Sequence, residues 1–140
     1  MLSLQAEACP ETLWLDKKSG FPFWQELLHT VGIVELISLE PGAESAQSYP
    51  PQVLMLSCEP EKPMSKEEFM AYAAEVYINA HSFIEGLSVA KLTEKHEKMS
   101  ALLGRDVVNQ YALMSMIRHT CYHLGACDAV LRGAGLKGVY

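Results

Sequence analysis

Between Ala112 and Val130, six residues recur at every third or fourth position. In a helix, side chains at this spacing lie on the same face. The six positions are spaced 4, 3, 4, 3 and 4 residues apart: Ala112, Met116, His119, His123, Ala126 and Val130. This spacing is typical of the inward face of a bundle helix. Two of the six residues are histidines, so polar rings stand where the pattern favours apolar side chains. Burying them without partners would cost several kcal/mol.

Other segments also have helical periodicity. Apolar residues from Trp24 to Val34 predict a largely buried helix, which must end by residue 40 because Pro41 disfavours helix at the residue before it. Ser65 and Glu68 form a capping-box pattern that predicts the start of a third helix, and Gly86 is a natural end for it. The last helix is expected to run from about Asp106 to about Leu131.

The connections differ in character. Residues 41–63 carry five of the seven prolines and predict a long crossover between helices, with an apolar island at 53–56 that packs on the bundle or forms a brief extended piece. Residues 87–105 predict a short helical turn within a loop, and residues 2–8 are weakly helical. Strand patterns are almost absent, so we predict an all-α fold of one helical domain covering residues 1–140.

Composition narrows the function classes. Of the 140 residues, 49% are hydrophobic and 20% are charged, which is typical of a soluble globular domain. The net charge of −6 disfavours nucleic acid and anionic membranes as partners. No apolar run reaches the roughly 20 residues that span a bilayer, and the first residues lack the pattern of a signal peptide. We therefore predict a cytoplasmic protein whose four cysteines are thiols without CxxC spacing.

The histidines of the last helix are the strongest candidates for a functional site. His119 and His123 are four residues apart, so both imidazoles point the same way, one helical turn from each other. A metal ion would satisfy both rings, and the alternative is a pair of core histidines hydrogen-bonded to the protein. His29 lies in the most apolar helix. Zinc, nickel and iron accept imidazole ligands, and three histidines leave open positions as in catalytic sites. We therefore predict a divalent metal site at His29, His119 and His123.

Other polar residues receive weaker predictions. Cys127 is a possible fourth ligand that would close the site. His81 is expected at a helix end or on the surface, and His96 in a solvated, charged stretch. Glu26 is expected to face solvent, and Tyr122 to be a partly buried packing residue.

Two segments carry a family resemblance. RHTCYHLGACDAVLRGAGL resembles the closing motif of the DinB/YfiT-like metalloenzyme superfamily. FPFWQELLHTVGIVELI resembles its earlier motif, in which an aromatic-rich helix start leads to the first histidine. The order and spacing of the intervening segments agree, so the likeness covers most of the chain. The resemblance transfers the family's three metal ligands to His29, His119 and His123, and implies a four-helix bundle that is often a homodimer.

The resemblance also implies an activity. Several members are thiol S-transferases that use a low-molecular-weight thiol, bacillithiol or mycothiol, and others are thiol-dependent isomerases or hydrolases. It therefore implies a metal-dependent enzyme acting on a small-molecule substrate, with the thiol attacking an electrophilic carbon. A metal-dependent hydrolase and a non-catalytic metal-binding or interaction bundle are the alternatives. An open pocket over the metal would favour an enzyme, and a sealed site would favour a structural metal.

The chain departs from the family pattern at two places. Little sequence precedes Pro10, so the first helix is short or truncated, or short N-terminal pieces replace it. A second copy in a homodimer would cover the gap. Gly125 is followed by Ala126, where many relatives have glutamine, so any contact that this glutamine makes around the metal is absent.

Overall fold

The computed structural model describes residues 1–17, 20–40 and 42–139. Across these ranges the chain forms eight helical segments, and its β-structure is confined to an isolated bridge between Lys95 and Val108. The segments in chain order are α1 (Leu2–Ala8), α2 (Glu11–Trp14), α3 (Phe23–Ser38), α4 (Pro51–Leu54), α5 (Lys66–Glu85), α6 (Val89–Leu92), α7 (Glu97–Leu103) and α8 (Asn109–Gly133). The predicted all-α class is confirmed.

Helix α3 is the central element, and it packs along both other long helices, α5 and α8. Twelve of its 16 residues are buried, which confirms the prediction of a largely buried helix. Leu27, Leu28 and Val31 have no exposed surface. A helix that is apolar on most sides is stable only when other segments cover those sides, so several helices pack around α3. Any polar side chain on α3 is therefore drawn into a helix interface.

Helix α5 begins and ends where the local signals predict. The Ser65 hydroxyl accepts a hydrogen bond from the Glu68 amide, and the Glu68 carboxylate accepts one from the Ser65 amide at 2.8 Å. These reciprocal bonds satisfy two amides that have no partner within the helix. The helix ends before Gly86. Its inward face, which includes the buried residues Phe69 and Val76, packs against α3.

Helix α8 begins at Asn109, so the prediction of a start near Asp106 is wrong. Asp106 pairs with Lys95 at 3.0 Å instead of capping the helix. The C-terminal end of the inward stripe also shifts by one residue. Cys127 and Leu131 are buried there, whereas the predicted Ala126 and Val130 are only partly buried. A straight helix of 3.6 residues per turn drifts against a seven-residue repeat, which accounts for this shift.

The connections are more helical than predicted. Residues 87–105 contain two helices, α6 and α7, rather than one short turn. The first half of the apolar island, Val53 and Leu54, lies in α4, and Met55 and Leu56 form the turn that follows. Val53 is buried and α4 packs on α3, which confirms the alternative that the island packs on the helices. This packing brings the backbone of Leu54 next to α3.

The N-terminal segment packs on all three long helices through α1. Leu2, Gln5 and Ala6 are buried, and the Gln5 side chain donates a hydrogen bond to the Leu124 carbonyl of α8 at 2.8 Å. The buried apolar side chains of these elements join into one continuous core. In the part of the chain that the structure describes, no helix is both long and apolar enough to cross a membrane.

Candidate metal centre

The structure brings His29 of α3 together with His119 and His123 of α8. The ring centroids lie 4.8 Å apart for His29 and His119, 4.7 Å for His29 and His123, and 4.5 Å for His119 and His123. One ring nitrogen from each residue lies within 4.8 Å of the others. His123 is buried, and the other two are half-buried. The side chains therefore form a compact group that solvent still reaches.

His29 is oriented by the crossover segment. Its Nδ1 lies 2.6 Å from the Leu54 carbonyl oxygen, which can only accept a hydrogen bond. Nδ1 therefore carries the proton, and the lone pair is on Nε2. Gly32, one turn along α3, helps α4 to approach, because a Cβ there would lie only 3.2 Å from the Leu54 side chain. The packing of α4 thus fixes which nitrogen His29 presents.

His123 is oriented by a carboxylate. Its Nδ1 lies 3.2 Å from Glu26 Oε2, and the two side chains are only 10% and 12% exposed. The prediction that Glu26 faces solvent is wrong. Glu26 precedes His29 by three residues in α3, so both side chains lie on the same face of that helix. This spacing was the sequence signal that could have identified it. Because the carboxylate accepts from Nδ1, the lone pair of His123 is also on Nε2.

His119 has the least complete set of partners. Its Nε2 lies 2.9 Å from Nε2 of His29, and since the latter has a lone pair, His119 donates the proton. Its Nδ1 is buried and has no hydrogen-bond partner in the part of the chain that the structure describes. An unsatisfied buried polar atom costs about 1–3 kcal/mol, so it needs an explanation in a folded protein.

Burial disfavours the charged forms of His119 and His29. The pKa of His119 is lowered to about 4, mainly by burial and to a smaller extent by His123, His29 and Arg118. Burial also lowers the pKa of His29, against the opposing effect of its bond to the Leu54 carbonyl. Neutral imidazole is the form that binds a metal ion.

The three side chains fit a divalent cation by two criteria. The Nδ1 atoms of His29 and His123 are held by neighbouring oxygens, so both rings present Nε2 to the group, and among the described residues Nδ1 of His119 has no partner. The donor set is all imidazole, which suits zinc, nickel and iron(II). Since two of the histidines are half-buried, a cation held here would keep a side accessible to solvent.

The remaining candidates lie outside this group. Cys127 is 2% exposed, and burial raises the pKa of its thiol to about 12, so it stays protonated. It is absent from the set of close ligand atoms among the described residues. His81 is exposed and pairs with Glu85, which confirms the surface interpretation. His96 is buried, so the prediction of a solvated residue is wrong.

Tyr122 lies beside the group and is not a packing residue. It is 71% exposed, so the prediction of partial burial is wrong. Its ring meets the His123 ring edge-on, with centroids 5.0 Å apart and an interplanar angle of 89°. An aromatic ring and a hydroxyl are therefore presented to solvent next to the histidines.

Two surface cavities lie elsewhere. One, of about 290 Å³, lies where the C-terminal ends of α3 and α5 meet the start of α7, and Phe83 and His96 line it. The other, of about 760 Å³, lies between the crossover and α5, beside Tyr49 and Tyr72. None of the three histidines lines either cavity.

No protein-family model, curated protein or solved structure matches this chain. The resemblance to the DinB/YfiT-like superfamily therefore stays a prediction from the two motifs.

Proposed function

We propose that this protein is a metal-dependent enzyme whose divalent cation (zinc, nickel or iron) is held by His29, His119 and His123. One observation carries the proposal: three imidazoles from two helices converge within 4.8 Å. Nδ1 of His29 and Nδ1 of His123 are each held by a neighbouring oxygen, and Nε2 of His29 lies 2.9 Å from Nε2 of His119, so the rings are oriented towards one another and one ion could replace their mutual contact. The fold that goes with this proposal is a DinB-type four-helix bundle in which α1 takes the place of the first helix.

The proposed reaction is transfer of a low-molecular-weight thiol to an electrophilic carbon of a small molecule. A divalent cation supplies Lewis acidity, which lowers the pKa of a thiol or water that it binds. His29 and His119 provide the accessible side of the site, and Tyr122 offers an aromatic face and a hydroxyl for orienting a substrate. The choice of a thiol rests on the family resemblance. Hydrolysis, with water as the nucleophile, is the alternative that uses the same residues.

A non-catalytic metal-binding bundle is the second candidate. The observation that favours it is that the two cavities lie away from the histidines. The half-exposed rings favour the enzyme, because a structural site is closed by a fourth protein ligand.

The test uses protein prepared without a polyhistidine tag and loaded with zinc, nickel or iron(II). Thiol consumption is followed against a panel of electrophiles, with ester and amide hydrolysis measured in parallel. We expect metal-dependent thiol consumption that His119→Leu abolishes and that the surface control His81→Leu leaves unchanged. Hydrolysis without thiol consumption would replace the transferase with the hydrolase, and metal binding without either activity would favour the non-catalytic bundle.

We also propose that the protein is a cytoplasmic homodimer. Exposed apolar side chains on α8 support an interface, and they are Tyr111, Met114 and Ile117. Light scattering coupled to size-exclusion chromatography is expected to give twice the chain mass, and a monomer at all concentrations would contradict the dimer.

A further inference from the structure

Glu26 is a carboxylate in an unusual position. Its side chain is only 12% exposed, and among the described residues no lysine or arginine lies within ion-pairing distance of it. Its partner is instead the Nδ1 of His123, at 3.2 Å. A withdrawn carboxylate is costly unless something compensates its charge. The imidazole N–H of His123 compensates part of that cost.

The start of α3 provides a second part of the compensation. Glu26 lies in the first turn of this 16-residue helix, where the helix dipole favours a negative charge. This position allows the carboxylate to stay near the histidines without a cationic side chain.

The three histidine rings also differ in the hydrogen-bond partner at Nδ1. A neutral carbonyl accepts from His29, a carboxylate accepts from His123, and the Nδ1 of His119 has no partner. A carboxylate that accepts from one ring nitrogen fixes the tautomer and makes the other nitrogen a better donor to a metal. His123 is therefore the ring whose Nε2 lone pair is most strongly directed.

We propose that Glu26 is the positioning residue of this centre: it holds the His123 ring so that Nε2 faces the cation, and it raises the donor strength of that nitrogen. This inference rests on the proposed metal site. Glu26 acts through His123 and does not itself bind the cation, since its oxygens are absent from the group of close ligand atoms.

The experiment compares Glu26→Leu, Glu26→Gln and the wild type, with Glu67→Leu as the matched control. Glu67 also lies in the first turn of a long helix but is exposed, so it controls for loss of the dipole interaction. Zinc affinity is measured by competition with a chromophoric chelator, and the cobalt(II) absorption spectrum reports the ligand geometry. Urea unfolding of the metal-free proteins shows whether each variant is folded.

We expect Glu26→Leu to weaken zinc binding about 10- to 100-fold and to change the cobalt spectrum. Glu26→Gln keeps an oxygen that can accept from Nδ1, so a weakening of about 3- to 10-fold is expected. Glu67→Leu should match the wild type. If the leucine variant does not fold, the glutamine variant decides alone.

Wild-type affinity and an unchanged cobalt spectrum in the folded Glu26 variants would overturn the positioning role while leaving the metal site intact. Absence of zinc binding by the wild type would instead overturn the proposed function, and the inference with it.

Discussion

His96 at the start of α7 is buried and His119 within α8 is half-buried, and their ring nitrogens have different surroundings. His96 donates from Nε2 to the Ile37 carbonyl at 2.9 Å and accepts from the Met99 amide at Nδ1. His119 has no partner at Nδ1, and its Nε2 faces another imidazole. The first ring joins α7 to the end of α3 with every polar atom used. The ring of His119 has a nitrogen without a hydrogen-bond partner, and a metal ligand needs an available nitrogen of this kind.

The two withdrawn carboxylates of α3 differ in the same way. Glu35 accepts from the Ser45 hydroxyl, the Ala46 amide and the Tyr72 hydroxyl at 2.7, 2.8 and 2.9 Å. These three bonds fasten the crossover to α3 and α5. Glu26 faces a histidine instead. The carboxylate of Glu35 is fully occupied by bonds that hold the fold together, whereas the carboxylate of Glu26 is directed at one of the three clustered histidines.

The largest expected effect comes from removing the satisfied carboxylate. Glu35→Leu leaves the buried Tyr72 hydroxyl without its acceptor and releases the crossover, so we expect a loss of about 3 kcal/mol in unfolding free energy. Urea denaturation measures it, with Glu44→Leu on the exposed crossover as the control. A loss as small as that of the control would show that the crossover is held by other contacts.

Removing the satisfied histidine comes next. His96→Leu leaves the Ile37 carbonyl and the Met99 amide unpaired, so we expect a loss of about 2 kcal/mol. Zinc binding should not change, because His96 lies outside the candidate centre. His81→Leu, on the surface, is expected to change stability by about 0.5 kcal/mol or less. Equal effects from the two substitutions would remove the distinction between His96 and an ordinary surface histidine.

Acid should destabilise the metal-free protein through His119. Its pKa is about 4 in the folded state against 6.5 as the ordinary value, so the unfolded chain takes up the proton first as pH falls. The stability is complete above about pH 6.5 and is lost as pH falls towards 4. Because the ring is half-exposed, solvent screening reduces the expected loss to about 1 kcal/mol.

Denaturation curves between pH 7 and pH 4.5 measure this loss, and His119→Leu should show a smaller one. An identical pH dependence in the wild type and the variant would contradict the assignment to His119.

The smallest expected effect is a gain in the stability of the metal-free protein. In the metal-free protein at pH 7, His119→Leu removes an unpaired buried nitrogen and adds apolar contacts, so we expect about 0.5 kcal/mol of added stability. Thermal unfolding in the presence of a chelator measures it. A loss of 2 kcal/mol or more would place His119 with His96 among the residues that hold the fold.

Sequence periodicity and capping predicted the features that depend on neighbouring residues. Ser65 and Glu68 fixed the start of α5, and the spacing of His119 and His123 placed them on one face of α8. The predicted inward stripe of α8 was wrong at its C-terminal end. There the helix turns the side chain of Cys127 inward in place of the side chain of Ala126. Local signals therefore fix an element more reliably than they fix the register of its far end.

Features that depend on distant segments were not predicted. The charged neighbours of His96 suggested solvent exposure, but α7 docks on the end of α3 and buries that ring. The contact between Leu54 and His29 depends on the path of the crossover, which no local pattern specifies. The contact of Glu26 with His123 joins residues 97 positions apart, and only the packing of α3 on α8 creates it.

Calorimetric titration of zinc into chelator-treated, tag-free protein tests the central claim most directly. We expect about one ion per chain for the wild type and for the surface control His81→Leu, and we expect His119→Leu to lose the heat of binding. Saturable binding that His119→Leu leaves unchanged, or no saturable binding by the wild type, would contradict a metal centre built from His29, His119 and His123.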